Sequence, residues 1–325
     1  MTTIAPLPPI RPGATHLTGV VTALVTPFRP DGGLDEDAFG LLVGRQVAAG
    51  VSGIAPVGTT GESPTLRPDE RDRLIELCVA AATAAGGARH GMRPTVVAGT
   101  GTNDTRATIE ATRRAARLGA DVALVVAPYY NRPNQAMLER HYLAIAEAGD
   151  LPLIVYNVPT RTASNVAAET LLRLAEHSRI VAVKEASGDL DQIAVILRDR
   201  PAGFSVLAGD DIWTLPVIAL GGDGVVSVAS NELPEAMVAL CAAASGGAWD
   251  AAREIHERLL PLLRANFAGA PNPAPVKAGL SMMGLIDDVL RQPLLPLDAS
   301  ARPGLAQALI DAGATLLPER QAVEA

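Results

Sequence analysis

Lysine is almost missing from this chain. Of its 27 basic residues only Lys184 and Lys277 are lysines, and arginine supplies the rest. An alanine- and arginine-heavy composition reflects nucleotide bias, so a retained lysine marks a place that wants an amine able to lose its proton. Aromatic residues form 3% of the chain and include four tyrosines, which makes each position informative. The two cysteines, Cys78 and Cys241, lie far apart in apolar stretches of helical character, so both are expected to be reduced and structural. His16, His90, His141, His177 and His256 are scattered with no pair at ligand spacing. They read as surface or helix-end residues, which disfavours a metal hydrolase, and neither a metal nor another cofactor is expected. The net charge of -8 comes without any basic run, which argues against nucleic acid as a partner. No window reaches the roughly 18 apolar residues of a membrane helix. The N-terminus, MTTIAPLPPIRPGATH, lacks a basic start followed by an apolar stretch, so no membrane association and a cytoplasmic location are expected.

What is present is an ordinary globular composition, 48% hydrophobic and 19% charged, long enough to bury a sizeable core. Short runs rich in Val, Ile and Leu occur at 20–28, 53–58, 95–100, 121–128, 152–159, 180–187, 204–210 and 224–230. Segments of helical period lie between them. One begins at Pro68 with Asp69 and Glu70 in its first turn, and places Leu74, Leu77, Cys78 and Ala81 on one face. Near-continuous apolar strands imply burial on both faces, as in a parallel sheet, and eight strand–helix units match a (β/α)8 TIM barrel. A doubly wound open sheet is the structural alternative. The expected organisation is a disordered proline-rich tail over 1–17, a barrel over 18–246 and a C-terminal helical extension over 247–325.

In a barrel the working groups come from the C-terminal strand ends and the loops beyond them. Strand two ends in Gly58-Thr59-Thr60-Gly61-Glu62-Ser63, strand four in Pro128-Tyr129-Tyr130-Asn131, strand five in Tyr156-Asn157-Val158-Pro159-Thr160-Arg161, and strand six in Lys184-Glu185. Period-two alternation puts Lys184 on the face of Ile180 and Ala182, which can be the barrel interior, and Glu185 on the other. An ammonium is costly there, and a neutral amine in an apolar barrel is what a Schiff base with a carbonyl substrate requires. The alternative is a lysine paired with a carboxylate. Tyr156, on the neighbouring strand, could bring its hydroxyl to the amine as a proton carrier, or could simply fill the core. The Gly-Thr-Thr-Gly turn offers backbone N–H groups and two hydroxyls to a small carboxylate, though such turns also occur as plain loops. Arg161 is a candidate for bidentate carboxylate binding, or a surface residue at a helix end. A pyridoxal phosphate barrel would want a glycine-rich phosphate loop after strands seven and eight, whereas Gly221-Gly222 precedes strand eight.

GTTGES (58–63), PYYNRP (128–133), YNVPTRT (156–162), VKEASG (183–188), GDD (209–211) and NPAPVK (272–277), in this order, resemble the dihydrodipicolinate synthase family. The likeness runs over 17–318. That family lies in the pyruvate-dependent class I aldolase superfamily, which also contains N-acetylneuraminate lyase. The resemblance implies condensation of pyruvate with L-aspartate semialdehyde in lysine and diaminopimelate biosynthesis, with Lys184 forming an imine with pyruvate. Tyr156 would relay protons with Thr59 and with Tyr130 of a neighbouring subunit, in a homotetramer built as a dimer of dimers. Thr60 would bind the pyruvate carboxylate, Arg161 the carboxylate of the semialdehyde, Val226 would contact pyruvate, and Gly209 would shape the pocket. Sialic acid lyases carry a Gly-Ser-Thr-Gly turn and lack this arginine. A sugar-acid aldolase or dehydratase of the superfamily is the first alternative, and a non-catalytic keto-acid-binding paralogue the second. The lysine-binding pocket of feedback-inhibited members is matched by Ser63, Asn103 and Tyr129 but departs at Pro68, Arg71 and Ala107, which implies weak or absent feedback by lysine.

Overall fold

The computed structural model describes residues 16–88 and 93–317, and its eight parallel strands close into a barrel in sequence order. They are β1 (Gly19–Ala23), β2 (Gly53–Ala55), β3 (Thr95–Gly99), β4 (Val122–Val126), β5 (Leu153–Asn157), β6 (Ile180–Glu185), β7 (Ser205–Ala208) and β8 (Gly224–Ser227). Around them run α1 (Glu36–Ala49), α2 (Pro68–Ala88), α3 (Thr105–Arg117), α4 (Gln135–Ala148), the short α5 (Pro159–Thr162), α6 (Ala168–Ala175), α7 (Leu190–Asp199), α8 (Thr214–Ala219) and α9 (Pro234–Ser245). Three further helices, α10 (Trp249–Ala265), α11 (Ala274–Met282) and α12 (Arg302–Ala312), form the extension. The expected TIM barrel is therefore found, and the open doubly wound sheet is not.

Two apolar layers explain why the strands read as continuous hydrophobic runs. Val21, Val97, Leu124, Ile154, Leu207 and Val226 fill the barrel, while neighbouring residues such as Val20, Val96, Val125, Val155, Val206 and Val225 pack outward under the helices. Helix starts are fixed by side-chain caps in the connecting loops. Asp35, Asp104, Asn134 and Asp189 accept hydrogen bonds from first-turn amides of α1, α3, α4 and α7. The strands are shorter than the apolar runs because several runs continue into buried loops. Residues 229–231, for example, form a 3-10 turn whose Asn231 side chain accepts from Val25 N and donates to Ala23 O and Val228 O.

Strict alternation along β6 fails at one place. Leu153 pairs with Ile180 and Ile154 with Ala182, so an extra residue is inserted between them. Ile180 consequently packs outward under the helices, and Val181 joins Ala182 in the barrel interior. The expected shared face of Ala182 and Lys184 survives, because the irregularity lies below both.

At the barrel's N-terminal end the first two described residues are docked. Leu17 is 2% exposed, belongs to the interior cluster and donates its N–H to Ser205 Oγ at 3.1 Å, and His16 Nδ1 lies 3.2 Å from the same hydroxyl. The rest of the expected tail, residues 1–15, lies outside the described residues. At the opposite side of the molecule the extension is tied to the loop after β8. Asn266 Nδ2 donates to Glu232 Oε2 at 2.6 Å, and burial pushes the Glu232 carboxyl up to about 8. Gly279 of α11 makes room for it, since a Cβ there would stand 2.2 Å from Glu232 Oε1. No helix among the described residues is long and apolar enough to cross a membrane.

Candidate active site

Lys184 is the penultimate residue of β6, is 4% exposed, and stands directly across from Tyr156 of β5 in the strand register. Its Nζ lies over the Tyr156 ring, 4.2 Å from the centroid. The sequence leaves open a contact between the amine and the tyrosine hydroxyl, and no hydrogen bond joins the two in the structure. Paired residues of adjacent parallel strands rise side by side, so the lysine stem runs along the ring and its head meets the π face. The Tyr156 hydroxyl makes no hydrogen bond with another described residue and so remains free for a substrate. Glu185 is not the lysine's partner. It faces the other way and accepts from Asn157 Nδ2 at 3.0 and 3.1 Å, from Ser187 N at 2.8 Å and from Gln192 Nε2 of α7 at 3.2 Å. Burial raises the Glu185 carboxyl above the usual range, and these donors pull it back.

Two further carboxyl groups sense the Lys184 charge. Asp210 is pushed up to about 6 by burial and by its neighbour Asp211, an effect the lysine partly offsets. Asp211 is raised by burial and held by Val228 N at 2.8 Å and Ala229 N at 3.0 Å. Gly209 precedes them, and its lack of a side chain is required. An added Cβ would lie 2.6 Å from Ala186 Cβ and 3.0 Å from Ala186 N, in the loop just past Lys184. Val226, fully buried on β8 and paired with Val21, belongs to the interior cluster that also contains Tyr156.

The turn after β2 is tight. Glu62 N donates to Thr59 O and Ser63 N to Gly58 O, while the amides of Thr59, Thr60 and Gly61 make no hydrogen bond among the described residues. Both ends carry strain, since Val57 (φ 60°) and Glu62 (φ 53°) adopt the left-handed region without being glycine. Gly61 is the glycine that the geometry needs, for a Cβ there would stand 3.1 Å from Leu24 O and 3.2 Å from Thr26 Oγ1. Thr60, 2% exposed, accepts at its hydroxyl from Asn272 Nδ2 at 3.0 Å. The same Asn272 accepts at its carbonyl from Arg161 Nη2 at 3.3 Å. Asn272 thus bridges the two carboxylate-binding candidates. The sequence reading gave it no role, although it opens the NPAPVK motif. The exposed guanidinium of Arg161, on α5, has no carboxylate partner among the described residues.

One group of candidates is not assembled within a single chain. Tyr130 is 89% exposed, with φ 70°, and makes no hydrogen bond with Thr59 or Tyr156. Thr59 and Tyr156 are likewise unbonded to one another. The barrel's C-terminal face therefore brings together Lys184, Tyr156, the Thr59–Thr60 turn, Gly209, Val226 and, through Asn272, Arg161, with Tyr130 pointing outward.

Known proteins resemble most of the chain. The profile of the dihydrodipicolinate synthetase family matches residues 16–312. The chain belongs to that family. The 4-hydroxy-tetrahydrodipicolinate synthase of Prosthecochloris aestuarii is 47% identical over 296 residues, covering 91% of this chain and 97% of the relative. Among solved structures, a monomeric dihydrodipicolinate synthase variant superposes with a TM-score of 0.88 at 40% identity, over 94% of this chain and all of the other. The pyruvate complex of the chloride-inhibited dihydrodipicolinate synthase from Acinetobacter baumannii gives 0.87 at 41%, over 92% and 99%.

The second lysine of the chain has a different environment from the first. Lys277 of α11 is fully buried, donating to Glu62 Oε1 at 2.7 Å and Thr26 O at 2.9 Å, with its Nζ 4.4 Å from the Phe28 ring centroid. Burial lowers its pKa, an effect Glu62 opposes. Nearby, Arg291 binds Glu70 through both oxygens at 2.7 Å. Lysine scarcity flagged both positions in the sequence, but the buried carboxylate partner of Lys277 is visible only in three dimensions. No group of three metal-ligating side chains occurs among the described residues.

Proposed function

We propose that the chain is a 4-hydroxy-tetrahydrodipicolinate synthase that condenses pyruvate with L-aspartate semialdehyde through a Schiff base on Lys184. The observation that carries this reading is the buried Lys184 amine against Tyr156, at the barrel end where Asn272 joins Thr60 to Arg161. Lys184 Nζ attacks the keto carbon of pyruvate, water leaves, and an imine forms. Loss of a methyl proton gives the enamine, whose carbon attacks the aldehyde carbon of the second substrate. The semialdehyde's own amine then displaces Nζ as the ring closes, which frees the lysine. The free amides of the 59–61 turn and the Thr60 hydroxyl hold the pyruvate carboxylate, Val226 contacts the bound pyruvate, and Gly209 shapes the pocket. Tyr156 moves the protons with Thr59 and with Tyr130 of a second copy. The exposure of Tyr130 supports a second copy that covers it. The proposed assembly is a homotetramer built as a dimer of dimers, working in the cytoplasm.

The test is turnover of pyruvate with L-aspartate semialdehyde, coupled to the next reductase and followed by nicotinamide oxidation. The wild-type chain is expected to turn over. Arg161→Ala is expected to lower kcat/KM for the semialdehyde roughly 10- to 100-fold, the size of charged hydrogen bonds lost, with little change in the KM for pyruvate. An inactive wild-type chain would overturn the reading.

Regulation by lysine is proposed to be weak or absent. Arg71 donates from Nη2 to Ser63 O at 2.6 Å and from Nε to Leu66 O at 3.3 Å. Ser63, which matches a residue of the family's lysine pocket, is thus already engaged by a cation, which repels the ammonium of a lysine ligand. Turnover is expected to be unchanged in millimolar lysine. An inhibition curve that saturates in that range would refute the proposal.

A further inference from the structure

The turn that holds the pyruvate carboxylate is fastened from the C-terminal extension by a ring of buried contacts. Thr26 Oγ1 donates to Gly61 O at 2.8 Å, Lys277 Nζ donates to Thr26 O at 2.9 Å and to Glu62 Oε1 at 2.7 Å, and Arg291 N donates to Glu62 Oε2 at 3.0 Å. The Lys277 and Glu62 side chains are both 0% exposed. Glu62 itself sits in the left-handed region at φ 53°, and Val57, at the other end of the turn, does so at φ 60°. A turn with left-handed non-glycine residues at both ends does not keep its shape by local preference, and needs surrounding contacts that over-determine it. A buried ion pair is a poor source of net stability, so its presence at this place calls for another role.

We propose that the Lys277–Glu62 pair, with Thr26, positions the Thr59–Glu62 turn for the carboxylate of the keto acid and thereby sets the affinity for that substrate, so that α11 acts as a positioning element of a site it does not touch. Neither residue contacts the reacting atoms. The inference rests on the proposed pyruvate reaction, and its test separates the two. Pyruvate binding is read by borohydride trapping of the imine at a series of pyruvate concentrations, with the mass of the adduct as the signal.

The informative variant is the double replacement Glu62→Gln/Lys277→Met. It leaves no unpaired buried charge, and the Gln carbonyl can still accept from Arg291 N. Half-saturation of trapping is expected to rise about tenfold, the cost of a misplaced binding group, while the KM for L-aspartate semialdehyde moves less than about threefold. A purely structural pair would lower the thermal midpoint and leave the pyruvate half-saturation where it was, and that result in a folded double variant overturns the proposal. Thr26→Val removes only the hydroxyl on Gly61 O and keeps the ion pair, so it stands in should the double variant fail to fold. A rise of roughly threefold in pyruvate half-saturation supports the ring's role, and no rise overturns it. If the wild-type chain traps no pyruvate at all, the reaction itself is wrong and the inference falls with it.

Discussion

Replacing Lys184 by alanine is expected to abolish the borohydride-trapped pyruvate adduct and to lower turnover by about 10⁴-fold or more, since no covalent intermediate can then form. The prediction is unusually clean in this chain because only one other lysine exists. Lys277 cannot replace Lys184 as nucleophile, being 0% exposed and committed to Glu62 and to Thr26 O. Trapped mass in the wild type should therefore map to the peptide that contains Lys184 alone. Lys184→Arg adds a second control. It keeps a cation over the Tyr156 ring but supplies no imine-forming amine, so it too is expected to be inactive. Activity retained by Lys184→Arg would mean that the site needs only a positive charge, and the Schiff-base route would have to be abandoned. An adduct mapped elsewhere than Lys184 would have the same consequence. Thermal unfolding of the variants checks that the lost activity reflects chemistry, because the Lys184–Tyr156 contact contributes only about 0.5–2 kcal/mol by the usual size of cation–π pairs.

Much of this site was legible from residue order because a parallel barrel places its working groups at predictable strand ends. Lys184 and Tyr156 occupy the same register position on adjacent strands, each as the penultimate residue of its strand. Counting fails where the backbone departs from the ideal. The irregularity between Ile180 and Ala182 turned Ile180 outward, and nothing in an all-apolar run signals such an insertion. Contacts made over long sequence separations were equally invisible. Asn272 meets Thr60 across 212 positions and Arg161 across 111. Its motif carries part of the family resemblance, yet only the folded extension shows that its side chain and carbonyl join two binding groups. The left-handed residues Val57 and Glu62 follow the same logic. A valine at positive φ contradicts local preference, so its conformation is imposed by tertiary contacts that the sequence does not display.

Tyr156→Phe should leave the pyruvate imine trappable while kcat falls about 10²–10⁴-fold, the range for loss of a general acid–base group. The structure separates the ring of this residue from its hydroxyl. The ring is packed, 6% exposed within the barrel cluster, and carries the 4.2 Å contact with Lys184 Nζ, whereas the hydroxyl makes no hydrogen bond with any described residue. Phenylalanine keeps everything the ring does. Folding, the thermal midpoint and half-saturation by pyruvate are consequently expected to stay near wild-type values, and the deficit should appear in the proton-transfer steps of formation and release. Measuring kcat, KM for pyruvate and single-turnover adduct formation on one preparation distinguishes this from a packing defect. A packing defect would shift the midpoint and the pyruvate KM together. If kcat were instead within about threefold of wild type, the hydroxyl would have no part in the proton relay, and Tyr156 would be reduced to the aromatic wall on which the lysine amine rests.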